Sequence, residues 1–385
     1  MLLAKKTFLL AGSVALLGSG CQTTPGPEAD YVAGSLIHFT GKPANPNGAW
    51  CWFQDERVIV NTHDPSDPTL MFTAVSASID DEKEQGDLDF YWYGLDSHQG
   101  GVIELHDRLG QDDHNVAALF ELSNGQTLAA YARHNKDFFT YSRLSDPGNP
   151  AVWSEASVYE GEARSTYNNL LTAGADRTLY NFSRLQGWDP NFLVYDNHRE
   201  SWAYGGRLLN SEGRPYLKYT GNSNGTKVHV VATDQHPRNA DNSIYHGVMD
   251  GRVLFDTNGK ALDQDLSDQD AVEPTALTLV FEGDADNVAW MADVEIDDND
   301  RPVIAFSVQK DGRGLPQGSG GFDHRYHLAR PGPDGWRHYE IFEGKSTDGG
   351  KTFAWQALRA LLADGATFCR APRWTDAKRH RHSLL

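Results

Sequence analysis

The sequence predicts an all-β protein built blade by blade. Three segments share one pattern, in which a strand starts at a polar or ring-bearing tripeptide and the next strand ends on a basic group, and the strand starts recur about every fifty residues. Aromatic residues are plentiful (Trp 10, Tyr 15, Phe 17) and there are 37 glycines, as expected for many strands joined by tight turns. No heptad or long amphipathic pattern follows the N-terminus, so a helical fold is not expected.

The three segments bring ionisable side chains to matching positions. They run from Asp113-His114-Asn115 to Arg133-His134, from Thr166-Tyr167-Asn168 to Arg184, and from Arg214-Pro215-Tyr216 to His236. If the blades surround one axis, the starts and the ends of these segments meet at a single mouth. The pattern therefore predicts one site containing His114, Tyr167, Tyr216, His134, Arg184 and His236.

Alternating apolar residues and turns divide the chain into five units. The units cover about 49–109, 114–159, 167–209, 215–255 and the chain from about 288 onward, with an insertion at 256–273. Ser346 to Phe353 form an Asp-box, a hairpin turn pinned by carboxylate and hydroxyl groups that is typical of β-propeller blades. Tyr195 to Trp202 resemble a degenerate copy. Both turns are interpreted as structural.

The N-terminus reads as an export signal. Residues 1–21 combine Lys5 and Lys6 with an apolar run at 8–17, too short to span a bilayer, and with small residues before Cys21. A bacterial lipoprotein lipidated on Cys21 is the first interpretation, with anchoring in the outer membrane or at the cell surface. Plain secretion is the alternative. Residues 22–34 are interpreted as a flexible linker.

These limits leave residues 35–355 for the propeller domain. From about Ala357 the alternation stops and a basic run follows, so residues 356–385 are expected to be an atypical tail. A six- or seven-bladed ring needs more sequence than remains, so two interpretations stay open: the last blade is incomplete, or the tail is the product of a truncation or a frameshift. Only Cys51 and Cys369 follow the signal, which excludes a disulfide scaffold.

The net charge of −19 argues against a nucleic-acid partner, which needs a basic surface. A polyanionic substrate remains compatible, because steering depends on the local field in a cleft rather than on the total charge. The acidity is otherwise typical of a soluble secreted protein.

Histidine, tyrosine and arginine together suit β-elimination from a uronic-acid glycoside. The reaction removes the C5 proton next to a carboxylate, so it needs a cation on the carboxylate, a base, and an acid for the leaving oxygen. His114, His134, Tyr167 and Arg184 contain that set, and the chemistry requires no cofactor. The alternative is that each of these rings has only a structural role, as a turn cap or a core residue. Tyr180 is interpreted as core, and Tyr245 is left undecided between core and site.

Metal binding is weakly indicated. Asp323-His324-Arg325-Tyr326-His327 places carboxylate and imidazole groups at strand spacing, and a structural calcium or zinc ion could bind there. The identity of any metal is unknown from the sequence. Gly-x-Ser-x-Gly, His-Glu-x-x-His and Walker motifs are absent from it.

Several motifs together resemble the BNR-4 repeat propellers, and within them the ulvan lyases of polysaccharide lyase families 24 and 25. The motifs are Gly48 to Phe53, Asp112 to Asn115, Thr166 to Asn169, Arg214 to Tyr219 and Asn242 to His246. The resemblance covers roughly residues 35–355 and implies a seven-bladed propeller.

That resemblance implies cleavage of ulvan, a sulfated polysaccharide of rhamnose 3-sulfate with glucuronic or iduronic acid. It also implies a role for each site residue. His114 and Tyr167 would transfer protons, acid and base being left open between them, while His134 and Arg184 would neutralise the carboxylate. A further family tyrosine matches Tyr216, and less closely Tyr245.

Two other functions remain open. A sialidase-type hydrolase also carries Asp-boxes, but it needs an arginine triad and a Tyr-Glu nucleophile pair that this sequence does not clearly provide. A propeller that only binds glycans, or that is inactive because its last blade is broken, is the third interpretation. Such a protein would be expected to lack proton-transfer groups, yet His114 and Tyr167 are present.

Overall fold

A computed structural model describes residues 40–41, 48–51, 53–54, 57–76, 85–297, 299–311 and 321–357. The expected signal at 1–21 with Cys21 and the linker at 22–34 lie outside the described residues. Of the expected tail at 356–385, residues 356–357 belong to a strand and 358–385 lie outside the described residues. Within those residues, no helix is long and apolar enough to cross a membrane.

The described residues form five β-sheets and two short 3-10 helices, Asp113–Asn115 and Pro274–Ala276, so the predicted all-β class is confirmed. The first sheet has the strand order β1-β5-β4-β3-β2 and the second β10-β8-β7-β6, with β9 beside β8. The third has the order β11-β12-β13-β14, the fourth β15-β16-β17-β18-β19 with β20 beside β17, and the fifth β21-β22-β23-β24-β25.

The strands follow one another along the chain. The first sheet contains β1 Thr40–Gly41, β2 Val58–Asn61, β3 Thr69–Val75, β4 Leu88–Gly94 and β5 Gly100–His106. The second contains β6 Ala118–Glu121, β7 Thr127–Ala132, β8 Phe139–Asp146, β9 Asn149–Trp153 and β10 Ser157–Glu160. The third contains β11 Thr166–Ala173, β12 Thr178–Gln186, β13 Asp189–Asp196 and β14 Ser201–Arg207.

The last two sheets complete the described part of the chain. The fourth contains β15 Leu217–Gly221, β16 Lys227–Thr233, β17 Ile244–Asp250, β18 Val253–Asp256, β19 Ala261–Asp263 and β20 Thr278–Phe281. The fifth contains β21 Val288–Ile296, β22 Pro302–Gln309, β23 Asp323–Gly332, β24 Gly335–Lys345 and β25 Ala354–Ala357. The predicted insertion at 256–273 contributes β19 to the edge of the fourth sheet.

Consecutive sheets pack face to face. Along β22, fully buried residues alternate with half-buried ones, because successive side chains point to opposite faces of a strand. Four hydrophobic cores join the five sheets in chain order, and they contain in turn Phe90, Leu193, Phe192 and Phe306. Truncating one of these buried phenylalanines to alanine is expected to destabilise the fold by about 3–5 kcal/mol. Apart from the parallel pair β1 and β5, the strands of these sheets are antiparallel, and sheets of this kind packed in sequence order make the fold a β-propeller.

The Asp-box folds into the turn that the sequence predicts. Asp348 accepts hydrogen bonds from the backbone N–H of Thr352 (2.9 Å) and Lys351 (3.1 Å), and the Ser346 hydroxyl donates to its Oδ1 at 2.8 Å. In the degenerate copy, Asp196 accepts from the N–H of His198 at 2.8 Å. The resemblance implies seven blades, and the described residues form five.

Candidate active site

His114 lies in the 3-10 helix between the first and second sheets. Asp112 caps this helix, accepting the backbone N–H of His114 at 3.0 Å. The His114 Nδ1 lies 2.7 Å from an Asp112 oxygen and 2.8 Å from an Asp113 oxygen. Two carboxylates therefore hold the orientation of one imidazole ring.

His134 follows β7 and is tied to the same helix. Its backbone N–H donates to the Asn115 Oδ1 at 2.7 Å, and the Asn115 Nδ2 donates to the Gly110 carbonyl at 2.8 Å. Its Nδ1 is hydrogen-bonded to the Thr166 hydroxyl at the start of β11. Asn115, itself buried, thus fixes the spacing between the two histidines. Their rings stack with centroids 4.2 Å apart.

Tyr167 sits in a β-bulge with a left-handed backbone. The register between β11 and β12 shifts between Thr166 and Asn169, and the φ of Tyr167 is +59°. Left-handed backbone is strained for an aromatic residue, and such strain persists only where the surroundings enforce it. A guanidinium nitrogen of Arg57, the residue before β2, donates to the Asn168 carbonyl, which anchors the bulge. The bulge turns the Tyr167 ring toward the two histidines.

Arg184, near the end of β12, makes cation–π contacts with the rings of Tyr167 and Tyr216. Its Cζ lies 5.1 Å from the Tyr167 ring centroid and 4.4 Å from that of Tyr216, and its Nη2 donates to the Pro215 carbonyl. The side chain is only 4% exposed, so its charge lies in a medium of low dielectric constant. Such a buried cation interacts strongly with an incoming carboxylate.

Together these side chains form one contiguous cluster. The Tyr167 ring lies 5.5 Å from that of His114, 5.6 Å from that of His134 and 6.3 Å from that of Tyr216. The Tyr216 ring lies 5.5 Å from that of His236. The predicted residues of three successive segments are therefore brought together, while the role of each stays a prediction.

Tyr245 is placed differently. Its ring packs in the core between the third and fourth sheets, and its hydroxyl donates to the Asp234 carboxylate at 3.0 Å. Tyr180, on β12, is buried in the same core, as predicted. Tyr216 is thus the tyrosine of the fourth blade that joins the cluster.

Three aromatic or polar contributors were missed by sequence reasoning. Phe53 packs against Tyr167 at 5.2 Å and Tyr216 at 5.0 Å, and Trp290 of the fifth sheet packs against Tyr216 at 5.0 Å. Cys51 is buried beside His114. Phe53 and Cys51 belong to the quoted Gly48–Phe53 motif, which could have indicated them; Trp290 carries no comparable signal.

The two stacked histidines are pushed to opposite protonation states. Burial alone would lower the pKa of His114, but hydrogen bonds to Asp112 and Asp113, with a further contribution from Cys51, outweigh it and raise this pKa to about 12. Burial, and then the charge of His114, lower the pKa of His134 to about 4. At neutral pH the pair therefore holds one imidazolium and one neutral imidazole.

Tyr167 keeps its proton. Burial raises the pKa of its phenol well above the ordinary value, and the nearby Arg184 charge only partly opposes that rise. The cluster thus offers a cationic imidazolium, a neutral imidazole, a phenol and a guanidinium. These groups can bind a carboxylate, accept a proton and donate a proton.

Some of the same side chains are spaced for a divalent cation. Potential ligand atoms of Cys51, Asp113 and His114 lie within 4.8 Å of one another, as do those of Asp112, His114 and His134. An imidazolium that donates its Nδ1 proton to carboxylates does not coordinate a metal through that nitrogen. We therefore assign no metal to these groups.

The region expected to hold a structural ion is occupied by ion pairs. Asp323 pairs with Arg325 and Lys345, and Arg325 also pairs with Glu340. The His327 ring stacks on Phe306 with centroids 5.1 Å apart. A calcium or zinc ion in this segment stays a prediction.

The comparisons with known proteins agree with this fold. A solved ulvan lyase described as a new family of polysaccharide lyase PL25, bound to -[GlcA(1-4)Rha3S]-, superposes with a TM-score of 0.58 at 12% identity, covering 83% of this chain and 82% of that one. The same lyase without that ligand gives a TM-score of 0.57 with the same identity and coverage. At this identity the likeness concerns the fold. No curated protein sequence matches the chain.

The family model described as "BNR repeat-containing family member" matches residues 78–343. This match spans the second, third and fourth sheets entirely, and with them every residue of the cluster from His114 to Trp290. The predicted resemblance is confirmed at this level, and the chain belongs to the BNR repeat-containing family.

Proposed function

We propose that the protein is a polysaccharide lyase that cleaves ulvan by β-elimination at its uronic acid, leaving a 4,5-unsaturated uronate. The observation that carries the proposal is the contact among His114, His134, Tyr167 and Arg184, with two histidines in opposite protonation states. The similarity in fold to a solved ulvan lyase supports the choice of substrate.

The first task is to neutralise the uronate carboxylate. Arg184 is nearly buried and His114 is held as a cation, so both can stabilise the negative charge that develops when C5 loses its proton. The donor fork of arginine matches a carboxylate in geometry as well as charge. With the carboxylate neutralised, the C5 proton becomes acidic enough to be removed.

The second task is proton transfer. The neutral His134 accepts the C5 proton, and the C5–H electron pair forms the C4=C5 double bond. The C4–O4 bond then breaks, and the leaving oxygen takes the proton of the Tyr167 phenol. His134 releases its proton to solvent and Tyr167 recovers one, which returns the site to its starting state.

This division exchanges the roles that the resemblance implies for the two histidines. By resemblance His114 would transfer a proton and His134 would contact the carboxylate. The charge states favour the exchange, because a protonated His114 has no lone pair to accept a proton, whereas the neutral His134 has one. The pH dependence of turnover separates the two assignments.

The direct test follows the ultraviolet absorbance of the conjugated product while the purified protein acts on ulvan. Rising absorbance together with new reducing ends is expected from elimination. New reducing ends without absorbance would indicate hydrolysis. The absence of both signals would contradict catalysis on ulvan.

The tyrosine is tested by Tyr167→Phe, with Tyr180→Phe as the matched control in a buried strand of the same sheet. Loss of a general acid is expected to lower kcat by about 10²–10⁴-fold. The control should turn over like the wild type. Wild-type activity of Tyr167→Phe would show that another group protonates the leaving oxygen.

A further inference from the structure

An exposed indole and an arginine extend the mouth beside Arg184. Trp188 lies in the two-residue turn between β12 and β13, after Gly187 with a φ of +66°, and 43% of its surface is exposed. The Arg214 Cζ lies 5.1 Å from the centroid of this indole. The cluster already described uses neither side chain.

Arg214 is held between two rings. Besides Trp188, it faces Tyr216, with its Cζ 5.4 Å from that ring centroid. Cation–π contacts of this kind orient the guanidinium plane but leave its N–H donors available. Among the described residues, no carboxylate lies within ion-pair distance of Arg214. The Asp189 carboxylate at the same turn is paired with Arg207 at 3.5 Å.

Two guanidinium groups share these rings. The Arg184 Cζ lies 5.9 Å from the Trp188 ring and 4.4 Å from the Tyr216 ring. Like charges gathered at one surface repel, and a bound anion relieves that repulsion. The lowered pKa of His236, caused first by burial and then by the charges of Arg238, Arg214 and Arg184, agrees with a positive field here. The field around these arginines is therefore positive although the net charge of the chain is −19.

We propose that Arg214 and Trp188 form a second anion subsite, which binds an oxyanion on the sugar next to the cleaved uronate. Arg184 takes the carboxylate of the cleaved residue, and Arg214 takes the second negative group. The indole supports the apolar face of the same sugar. The anion is a sulfate ester or a second carboxylate, since the guanidinium fork binds both.

The inference rests on the proposed function for the identity of the polysaccharide. Binding is therefore measured in a Tyr167→Phe background, so that the ligand stays intact. Calorimetry compares ulvan with chemically desulfated ulvan, for this background and for the same background with Arg214→Gln. Arg199→Gln is the matched control, because it removes the same charge from an exposed ion pair with Asp196 at the opposite end of β13.

Arg214→Gln is expected to weaken ulvan binding on the order of tenfold to a hundredfold, as for loss of hydrogen bonds to a charged group. If desulfated ulvan is insensitive to the change, the anion is the sulfate. Equal weakening for both ligands identifies a second carboxylate. Trp188→Ala should weaken both ligands to a similar degree, because packing against a sugar face does not depend on the sulfate.

Unchanged binding of both ligands by Arg214→Gln would overturn the subsite, even if the wild-type protein yields unsaturated product. Conversely, Arg214-dependent binding without unsaturated product from the wild type would support the subsite and reject the lyase. If the Tyr167→Phe protein binds neither ligand, both proposals are wrong.

Discussion

Asn181 donates a hydrogen bond from its Nδ2 to the Oδ1 of Asn168 at 2.8 Å, on the residue directly after Tyr167. The Asn181 Oδ1 accepts the backbone N–H of Asn169 at 3.2 Å. The fully buried side chain of Asn181 therefore hydrogen-bonds to both residues that follow Tyr167, whose backbone is in the left-handed region. The strain at Tyr167 is balanced by this contact and by Arg57.

Asn181→Ala is expected to lower kcat on the order of a hundredfold with little change in KM. The bulge would relax and the phenol would move, and small displacements of a catalytic group cost about that much. Steady-state kinetics on ulvan measures the split between the two constants.

Asn191→Ala is the control for that variant. Asn191 is equally buried on the neighbouring strand, but its Oδ1 accepts the Tyr204 hydroxyl at 2.6 Å, away from Tyr167. It should lose stability while keeping kcat. If both variants lose kcat in proportion to their loss of stability, Asn181 has no specific positioning role.

Arg184→Ala is expected to lower kcat/KM by about 2.7–4 kcal/mol of transition-state stabilisation, as for loss of one preorganised donor to a developing anion. Arg184→Lys keeps the charge but loses the fork and the packing over Tyr216, so it should retain part of the activity. Kinetics of the two variants gives the comparison. Equal, near-wild-type rates would mean that another cation neutralises the carboxylate.

The pH profile of the wild-type enzyme should fall on the acid side near pH 4. His134 must be neutral to accept a proton, and burial together with the His114 charge holds its pKa at about 4. The other charged groups facing it are Asp112, Asp113 and Arg184. The value of kcat/KM should therefore stay level from neutral pH to about pH 5 and drop below it.

The same profile decides between the histidines. If His114 were the base, turnover would instead rise toward alkaline pH, because its pKa is raised to about 12. Recovery of full activity after return to neutral pH controls for acid unfolding.

Removal of divalent cations should leave turnover intact. His114, His134, Tyr167 and Arg184 supply the cation, the base and the acid that elimination needs, so EDTA is expected to leave kcat/KM unchanged. Loss of activity that calcium or zinc restores would contradict the proposed chemistry. A fall of Tm in EDTA with unchanged kcat/KM would instead identify the structural ion that the sequence suggests.

The blade order and the Asp-box could be predicted because both depend on local patterns. Alternation marks strands, and the Ser346–Phe353 motif specifies its own turn. The backbone of Tyr167 could not be predicted, since its positive φ depends on Arg57 and Asn181, which are distant in sequence. Trp290 was missed because alternation does not reveal which strand end approaches the cluster.

The protonation states of His114 and His134 could not be predicted from the sequence either. It depends on how deeply each ring is buried and on two carboxylates converging on the His114 Nδ1, and neither feature follows from residue spacing. The sequence therefore predicts which side chains belong to the site better than it predicts what each one does.

Acidification is expected to destabilise the fold between pH 6.5 and 4 through a buried histidine pair. The His229 Nδ1 lies 3.1 Å from the His246 Nε2, between β16 and β17. Burial lowers the pKa of His229 to about 4 and that of His246 well below its ordinary value. In the unfolded chain both return to about 6.5.

The sign follows from proton uptake. Below pH 6.5 the unfolded state binds protons that the folded state refuses, so the free energy of unfolding falls by up to about 1.4 kcal/mol per pH unit for each such histidine. The half-buried His134, His236 and His327, whose pKa values are also lowered to about 4, add to the slope. His114 acts in the opposite direction, and only near and above pH 6.5, where the unfolded chain releases the proton that the folded state keeps; well below pH 6.5 both states hold this proton and His114 adds no slope.

Denaturant unfolding at pH 7, 6 and 5 measures this slope. His229→Asn should reduce it, whereas the exposed His198→Asn should leave it unchanged. The comparison concerns the slope rather than the absolute stability, since His229→Asn also disturbs packing at neutral pH. A slope that His229→Asn leaves unaltered would show that the pair accepts protons within the fold, so that buried water or a shift of β17 must solvate the charge.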